Sequence, residues 1–492
     1  MTHDTLFRPL FEPRSIAFIG ASSGIHKWGF NILHNIMRGG YDGALYPVNP
    51  QGGSWFGHRL YKGLDEIEGP VDLAVIIVPK EKVRAAVEQC AARSIPAAVV
   101  ITAGFSETGA AGARLEREVI DAARAGGVRI VGPNTMGIFT GAPRRLQAIM
   151  ASTMVKAGPV AVVAQSGNLA TSLMFRYTRR GFGISRLVSS GNEADLTIED
   201  YLELLEHDDM TRLICLYVEG LRDGRRFFET ASRISRKKPI VLIKGGTSAG
   251  GAKAAASHTG AIAGDAAIFA SMCRQAGVVQ ARTVDEVTDI SGLLLTQPEI
   301  TGRRVGIITQ GGGWGVIATD VCAAEGLQVP PLADDLVTKL DAILPEFWSR
   351  RNPVDLVAPG RVSAITDTID LIVKNAGMDA ILLLGLGYMT LRARRWLESP
   401  ILPREVTEGP AAMMISEEIK LLDMVCEQVK RLGKPIIPVM DQVAFDEPGE
   451  GNLPAYLDGH GLMAYSSPEQ AIRALAKAAE YYRWRRNAAK PG

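Results

Sequence analysis

The sequence predicts an α/β protein made of three doubly wound domains in series, and three observations carry that prediction. Short runs rich in Val, Ile, Leu and Ala alternate with longer amphipathic stretches along the chain. The short runs are continuously apolar, as in parallel strands covered on both faces, and do not alternate apolar with polar residues. The length of 492 residues suits about three domains at roughly 100 to 200 residues each.

In the first cycle, Ser15–Gly20, Ala44–Asn49, Asp72–Pro79, Ala97–Gly104 and Arg129–Asn134 read as strands. Lys82–Ser94 and Ala111–Ala125 read as helices, the second stopped by Gly126-Gly127. Strand, helix and strand repeated in this way place a doubly wound domain over residues 1–145. A second cycle, residues 146–298, has strands at Pro159–Gln165, Ile184–Ser190, Arg212–Glu219 and Pro239–Lys244. A third, residues 299–492, has strands at Arg304–Gln310, Ala380–Gly385 and Pro435–Asp441, then a terminal helix over Ser467–Arg486. The polar stretch Thr296–Arg303 reads as the linker before it.

Composition narrows the function. Lys plus Arg total 54 against 53 for Asp plus Glu, so no bulk polyanion is expected as partner and nucleic acid is set aside. The five cysteines lie far apart without ligand spacing, which indicates neither a disulfide framework nor a metal site. Met1–Pro13 is polar and broken by prolines, unlike a signal peptide, and no apolar run is long enough to span a bilayer. A cytoplasmic enzyme is the expectation.

Four places carry candidate chemistry. Gly20-Ala21-Ser22-Ser23-Gly24 follows a strand and opens a helix, where a nucleotide pyrophosphate would sit. It lacks the G-x-G-x-x-G spacing, and Val48-Asn49-Pro50 stands where a dinucleotide site has an acid, so other nucleotide-containing ligands, CoA among them, fit better than NAD. A plain structural turn is the other reading. Second, the strand–Gln–small-residue pattern of Val162–Asn168 recurs at Ile307–Gly313, each leading into a helix. Helix N-termini bind anions, and two of them suit one phosphate held from opposite sides; the alternative is the small-residue turn of any βα unit. Third, Gly245–Gly264 is almost entirely small residues around His258. It reads either as a mobile carrier of a nucleophilic imidazole or as a surface loop with an incidental histidine. Fourth, Glu219 ends a predicted strand at the ligand crevice, either to hold an imidazole N–H or as a rim carboxylate in a surface ion pair.

Taken together in order, these features resemble the α subunit of ADP-forming acetyl-CoA synthetases, within the succinyl-CoA synthetase superfamily. The matching residues are Phe11–Ala17 before Gly20-Ala21-Ser22, Tyr46–Pro50, Asp72–Pro79, Gly132-Pro133-Asn134 with Gly137-Ile138, and Gln165-Ser166-Gly167. They continue with Ser190-Gly191-Asn192 and Asp195, Glu219-Gly220, Ser257–Gly260 and Asn352–Asp355. The resemblance implies a Rossmann-like CoA-binding domain followed by two flavodoxin-like ligase domains. It implies CoA contacts at Gly20, Ala21, Ser22, Ser23, Val48, Asn49, Val78, Pro79, Thr102 and Asn134. It implies that His258 is the phosphorylated histidine, with Glu219 as its steadying carboxylate. Ser166, Gly167 and Asn168 match one phosphate-binding helix end, and Gly311, Gly312 and Gly313 the other. Three residues depart from the pattern: Thr135 stands in place of a frequent cysteine, Gln51 in place of a basic residue, and Trp314 in a turn where a small residue is expected.

The resemblance also implies a partner. Magnesium and ATP or ADP belong to an ATP-grasp module, expected here on a separate β subunit in an α2β2 assembly. The expected reaction interconverts acyl-CoA, ADP and phosphate with a small carboxylic acid, CoA and ATP, by way of an acyl phosphate and phosphorylated His258. Two alternatives remain at this point: the same chemistry on an aryl, dicarboxylic or branched acid, and a non-catalytic CoA or acyl-CoA sensor.

Overall fold

The computed structural model describes residues 3–151, 155–248, 250–251, 265–357, 362–375, 377–443, 445 and 452–489. The chain divides into two units, Met1–Val284 and Asp285–Gly492. The apolar runs form strands because a strand covered on both faces needs no polar side. The first unit opens with β1 (Ser15–Ile19), β2 (Ala44–Val48), β3 (Gly53–Trp55), β4 (His58–Leu60), β5 (Leu73–Ile76), β6 (Ala97–Val100) and β7 (Arg129–Val131). β1, β5 and β6 are buried along their whole length. The five-stranded parallel sheet runs β2-β1-β5-β6-β7, with Ile19 opposite both Val48 and Ile76. Strand order reverses between β1 and β5, which opens a crevice at their C-terminal ends.

A second sheet in the same unit contains β8 (Gly137–Thr140), β9 (Gln147–Ile149), β10 (Ala157–Ala164), β11 (Ile184–Ser189), β12 (Leu213–Val218), β13 (Ile240–Lys244) and β14 (Val279–Ala281). Its order is β14-β13-β12-β10-β11-β8-β9. The five strands from β10 to β14 are parallel, and the β8–β9 hairpin adds antiparallel to β11. The division suggested between residues 145 and 146 falls in the loop of that hairpin. In the second unit, β15 (Val305–Thr309), β16 (Val354–Asp355), β17 (Ala380–Leu384) and β18 (Ile436–Val439) form a parallel sheet ordered β16-β15-β17-β18. In each of the three sheets the first parallel strand (β1, β10 and β15) therefore lies between the next two parallel strands of that sheet.

Local signals explain the helix ends. Asp265 accepts from the backbone N–H of Ala267 and Ile268 to start Ala266–Ala276, and Gly277 in the left-handed region stops it. Thr197 and Asp200 close a capping box on Ile198–Glu206. Among the described residues no helix is long and apolar enough to cross a membrane.

The predicted strands of the first cycle run too far at their C-terminal ends, stopping in the structure at Ile19, Val48, Ile76, Val100 and Val131. Beyond those points the chain leaves the ladder to form the crevice turns. The helix expected directly after Gly24 begins at Trp28, after a further turn in which Lys27 N–H donates to Gly24 O. The β3–β4 and β8–β9 hairpins and the short strands β14 and β16 are absent from the expected strands, their two to four residues being too few to show a period.

One buried cation ties the N-terminal helix His3–Phe11 to the second sheet. Arg186 on β11 is 1% exposed and donates to Glu12 Oε1 at 3.1 Å, Asp208 Oδ1 at 3.2 Å and the carbonyl of Ala142. The rings of Phe7 and Phe11 flank the guanidinium at 5.4 and 5.8 Å. Removing one member of such a cluster leaves an unmatched charge in the interior. Arg186→Leu should therefore lower stability by about 3 to 5 kcal/mol in urea denaturation, and a loss within experimental scatter would show that the cluster contributes nothing.

Candidate active site

The ends of the two sheets in the first unit meet around one cavity of about 440 Å³. Val78, Pro79, Thr102 and Asn134 line it from the first sheet, and Gln165, Ser166, Gly167 and Asn168 from the end of β10. Its volume and position at strand C-termini suit a ligand site. The first group is linked by hydrogen bonds: Thr102 Oγ1 donates to Val78 O at 2.7 Å, and Asn134 N donates to Thr102 O at 2.9 Å. Asn134 sits in the left-handed region at φ 58°, which an asparagine tolerates better than most residues.

The other expected CoA contacts gather at the ends of β1 and β2. The N–H groups of Gly20 and Ala21 both donate to Val48 O at 3.1 Å, and Asn49 Nδ2 donates to Ala21 O at 2.7 Å. The β3–β4 hairpin covers this turn, Trp55 Nε1 donating to Ser22 O at 3.0 Å. Gly20 has φ +108°, and a Cβ there would stand 2.1 Å from Ile77 O. Any side chain would displace the segment leading into Val78 and Pro79, so the turn can approach a ligand only as glycine. Ser23 is exposed beside it. Gln51 is exposed too, with its N–H on Asn49 Oδ1 at 2.9 Å.

Ser166 is the N-cap of Gly167–Arg179, and its side chain makes no capping bond. The first N–H groups of that helix thus remain available at the cavity wall, a favourable place for an anion. The side chain of Gln165, just before it, joins three elements. Its Oε1 accepts from Glu219 N at 2.5 Å and Gly220 N at 3.0 Å. Its Nε2 donates to Gly220 O at 2.8 Å and to Glu193 Oε2 at 3.0 Å.

Glu219 is buried at the end of β12 and accepts from Tyr217 OH at 3.1 Å. Burial and the neighbouring carboxylate push the Tyr217 phenol up. Lys244 Nζ donates to Glu219 O at 2.7 Å and to Gly245 O at 2.5 Å, and burial lowers its pKa while Glu219 opposes. His258 lies outside the described residues. The described chain leading toward it leaves β13 at Lys244, directly opposite Val218 in the sheet.

Glu193 and Asn192 were not among the expected site residues. Glu193 is 4% exposed, and Ser190 Oγ donates to its Oε1 at 2.6 Å. Burial pushes its carboxyl up to about 7 against the hydrogen bonds from Ser190 and Gln165. Asn192 lines the cavity, and its side chain accepts from Asn134 Nδ2 at 3.2 Å. The available signal was an acid directly after the Ser-Gly-Asn turn at a strand end. Thr135, also on the cavity wall, is buried, donating to Ser189 O and accepting from Gly137 N at 2.9 Å.

The second unit repeats the arrangement with different walls. Gly311 caps the helix Gly312–Ala324 after β15 and lines a cavity of about 500 Å³ with Gln310, Trp314, Tyr388, Met389 and Arg392. Gly312 and Gly313 lie in the first turn of that helix and are not part of the cavity wall.

Comparison with known proteins agrees with this organisation. Residues 14–141 match the family CoA binding domain, 157–294 the Succinyl-CoA ligase like flavodoxin domain, and 305–400 the Ligase-CoA domain. The chain is 36% identical over 481 residues to the acetate–CoA ligase (ADP-forming) I subunit alpha of Pyrococcus furiosus, covering 97% of this chain and 98% of that protein. It is 35% identical over 357 residues to trans-feruloyl-CoA synthase FCS1 from an unknown prokaryotic organism, covering 71% of this chain and 50% of that protein. The structure of Ca. Korarchaeum cryptofilum dinucleotide forming acetyl-coenzyme A synthetase 1 in complex with phosphate and ADP aligns with TM-score 0.84 at 32% identity over 98% of each chain.

Gly20→Ala tests the crevice turn. Its Cβ collides with the Ile77 carbonyl, so CoA affinity by calorimetry should fall on the order of tenfold or more while the second unit's thermal transition stays in place; unchanged affinity would move the CoA site elsewhere.

Proposed function

The chain belongs to the ADP-forming acetate–CoA ligase family as an α subunit, and from that premise we propose a phosphohistidine relay through His258. The observation that supports it is the shared cavity of the first unit, where the expected CoA contacts Val78, Pro79, Thr102 and Asn134 adjoin the helix end Ser166–Asn168. CoA would lie along Gly20–Ser23, Val48 and Asn49 with its thiol end toward that cavity. A phosphate oxygen attacks the thioester carbonyl carbon, the C–S bond breaks, and CoA leaves as the thiolate and takes up a proton. The product is an acyl phosphate whose phosphoryl oxygens are held by the free N–H groups at the helix end.

A ring nitrogen of His258 then attacks the phosphorus, the bond to the acyl oxygen breaks, and the carboxylate departs. Glu219 holds the other ring N–H, fixing the tautomer and balancing the charge on the ring. In the second unit, Gly311–Gly313 offers a helix end of the same kind for a phosphate oxygen. The terminal phosphate oxygen of ADP finally attacks the phosphohistidine, breaking the P–N bond and forming ATP. Nucleotide and magnesium belong to the ATP-grasp β subunit of an α2β2 enzyme, so the histidine segment carries the group between two sites. The name of the Pyrococcus relative, a subunit alpha, supports the existence of a partner subunit.

A second reading concerns the acid. The cavity of the first unit, where the acyl group is transferred, is larger than acetate needs and counts Trp28, Met136 and Met150 among its lining residues. These walls favour an acid with an aromatic or branched body. The name of the feruloyl-CoA synthase relative is consistent with that class.

Two measurements follow. Labelled ATP with magnesium should phosphorylate this chain in the assembled enzyme, His258→Ala should take no label, and Glu219→Gln should slow labelling on the order of tenfold or more; a labelled His258→Ala chain would end the relay. In a panel of acids, aryl or branched acids should show the highest kcat/KM; a wild-type preference for acetate would reject the acid assignment.

A further inference from the structure

We propose that Glu193 is a positioning residue of the acyl-transfer site, setting the backbone of Glu219 and Gly220 through the side chain of Gln165. The proposal rests on the relay reading above. Glu193 is buried and holds a backbone φ of 52°, a region that non-glycine residues adopt when their surroundings require it. An ionised carboxylate offers only acceptors. Its Oε1 takes the Ser190 hydroxyl at 2.6 Å, and its Oε2 takes Gln165 Nε2 at 3.0 Å. The Gln165 amide is thereby fixed with its oxygen toward the N–H groups of Glu219 and Gly220, at 2.5 and 3.0 Å.

The same turn is anchored to the first sheet. Asn192 N donates to Pro133 O at 2.9 Å, and Ala194 N donates to Gly132 O at 3.1 Å. Glu193 therefore sits on a continuous path from the Asn134 side of the cavity to the end of β12. A small cavity of about 30 Å³, bounded by Gln165, Asn192, Glu193, Gly220 and Arg222, has room for one water. The groups acting on the Glu193 carboxyl are Ser190, Gln165, Glu199, Arg222 and Tyr201.

Protonation replaces the charged acceptor on Gln165 Nε2 by a neutral one and loosens that bond, while the bonds of Gln165 with Glu219 N, Gly220 N and Gly220 O remain. Burial holds the carboxyl at about 7, so that change falls near neutral pH. The stability linkage has the opposite sign. A carboxyl raised from 4.5 in the unfolded chain to about 7 contributes stability that is complete below 4.5 and is lost as pH rises through 7. Replacing Glu193 by glutamine thus relieves the fold at alkaline pH while leaving only a neutral acceptor on Gln165. A purely structural residue would not separate the two effects in this way.

The test uses the full chain with its partner subunit. Wild-type kcat for acyl-CoA formation should fall on the acid side with an apparent pKa near 7. Glu193→Gln should lower kcat at about pH 8 on the order of tenfold, remove the acid limb, leave KM for CoA within about twofold, and melt no lower than wild type at that pH. Gln165→Met cuts the same link from the other end, so it should also flatten the limb, and the double variant should be no slower than Gln165→Met alone. If Glu193→Gln does not fold, Gln165→Met carries the test. A folded single variant that keeps the wild-type limb, or a double variant whose defects multiply, overturns the proposal. Labelling from ATP separates this from the relay: an unlabelled wild-type chain refutes the relay, whereas a labelled chain with an unchanged Glu193→Gln profile refutes the positioning role alone.

Discussion

A close approach of two backbones governs the first unit. At Gly191 a Cβ would stand 2.3 Å from the carbonyl oxygen of Pro133, and the residue's φ is +61°. Only glycine fits there. Because it fits, the turn after β11 lies directly against the turn after β7, and the N–H groups of Asn192 and Ala194 bond to Pro133 and Gly132. Two sheets that each have their own crevice thereby share one cavity. The helix end that follows β10 comes to adjoin Thr102 and Asn134 from the other sheet. A reaction in which phosphate attacks a thioester needs that juxtaposition more than it needs any single side chain, since positioning supplies a large part of the rate.

The same strand order underlies all three sheets. In each, the first parallel strand lies between the next two parallel strands, and the turn after it opens at the reversal of strand order. Gly20, Gln165-Ser166 and Gln310-Gly311 occupy these equivalent turns. Parallel strands direct all such turns to one edge, and each following helix brings backbone N–H groups to it. Phosphate, acyl phosphate and carboxylate are all anions, so one architectural solution can serve every step. What differs is the wall. The cavity of the first unit has polar side chains such as Thr102, Asn134 and Gln165, whereas that of the second has Trp314, Tyr388, Met389 and Met414 around one arginine.

Two buried charges show how surroundings decide between a fixed and a variable group. Arg186 has two carboxylates, a carbonyl and two aromatic faces around its guanidinium. It acts as a static clasp. Glu193 is hydrogen-bonded by a hydroxyl and an amide, both neutral, while Glu199 works against its ionisation and Arg222 favours it. Neutral donors compensate only part of the desolvation of a carboxylate. The carboxyl therefore remains able to gain and lose a proton in a place where the Gln165 amide responds.

By itself the sequence determined the class of fold, the order of the sheets along the chain and the turns that face ligand. Continuous apolar runs can be satisfied only between two layers, and Gly20, Ser166-Gly167 and Gly311 mark strand ends whatever the rest of the molecule does. His258 and Glu219 were proposed as a pair because their order along the chain matches a family, and His258 lies outside the described residues. The tertiary structure decided what shares a cavity. Val78 and Asn168 are 90 positions apart and meet because Gly191 lets two backbones touch. It also decided which strands close the second sheet, since the antiparallel β8–β9 hairpin is too short to announce itself. Burial was decided there too. Glu193 in sequence is one acid among many; enclosed by Gln165 and Ser190 it becomes a titratable support for Glu219, because the desolvation that sets its proton affinity comes from residues distant in the chain.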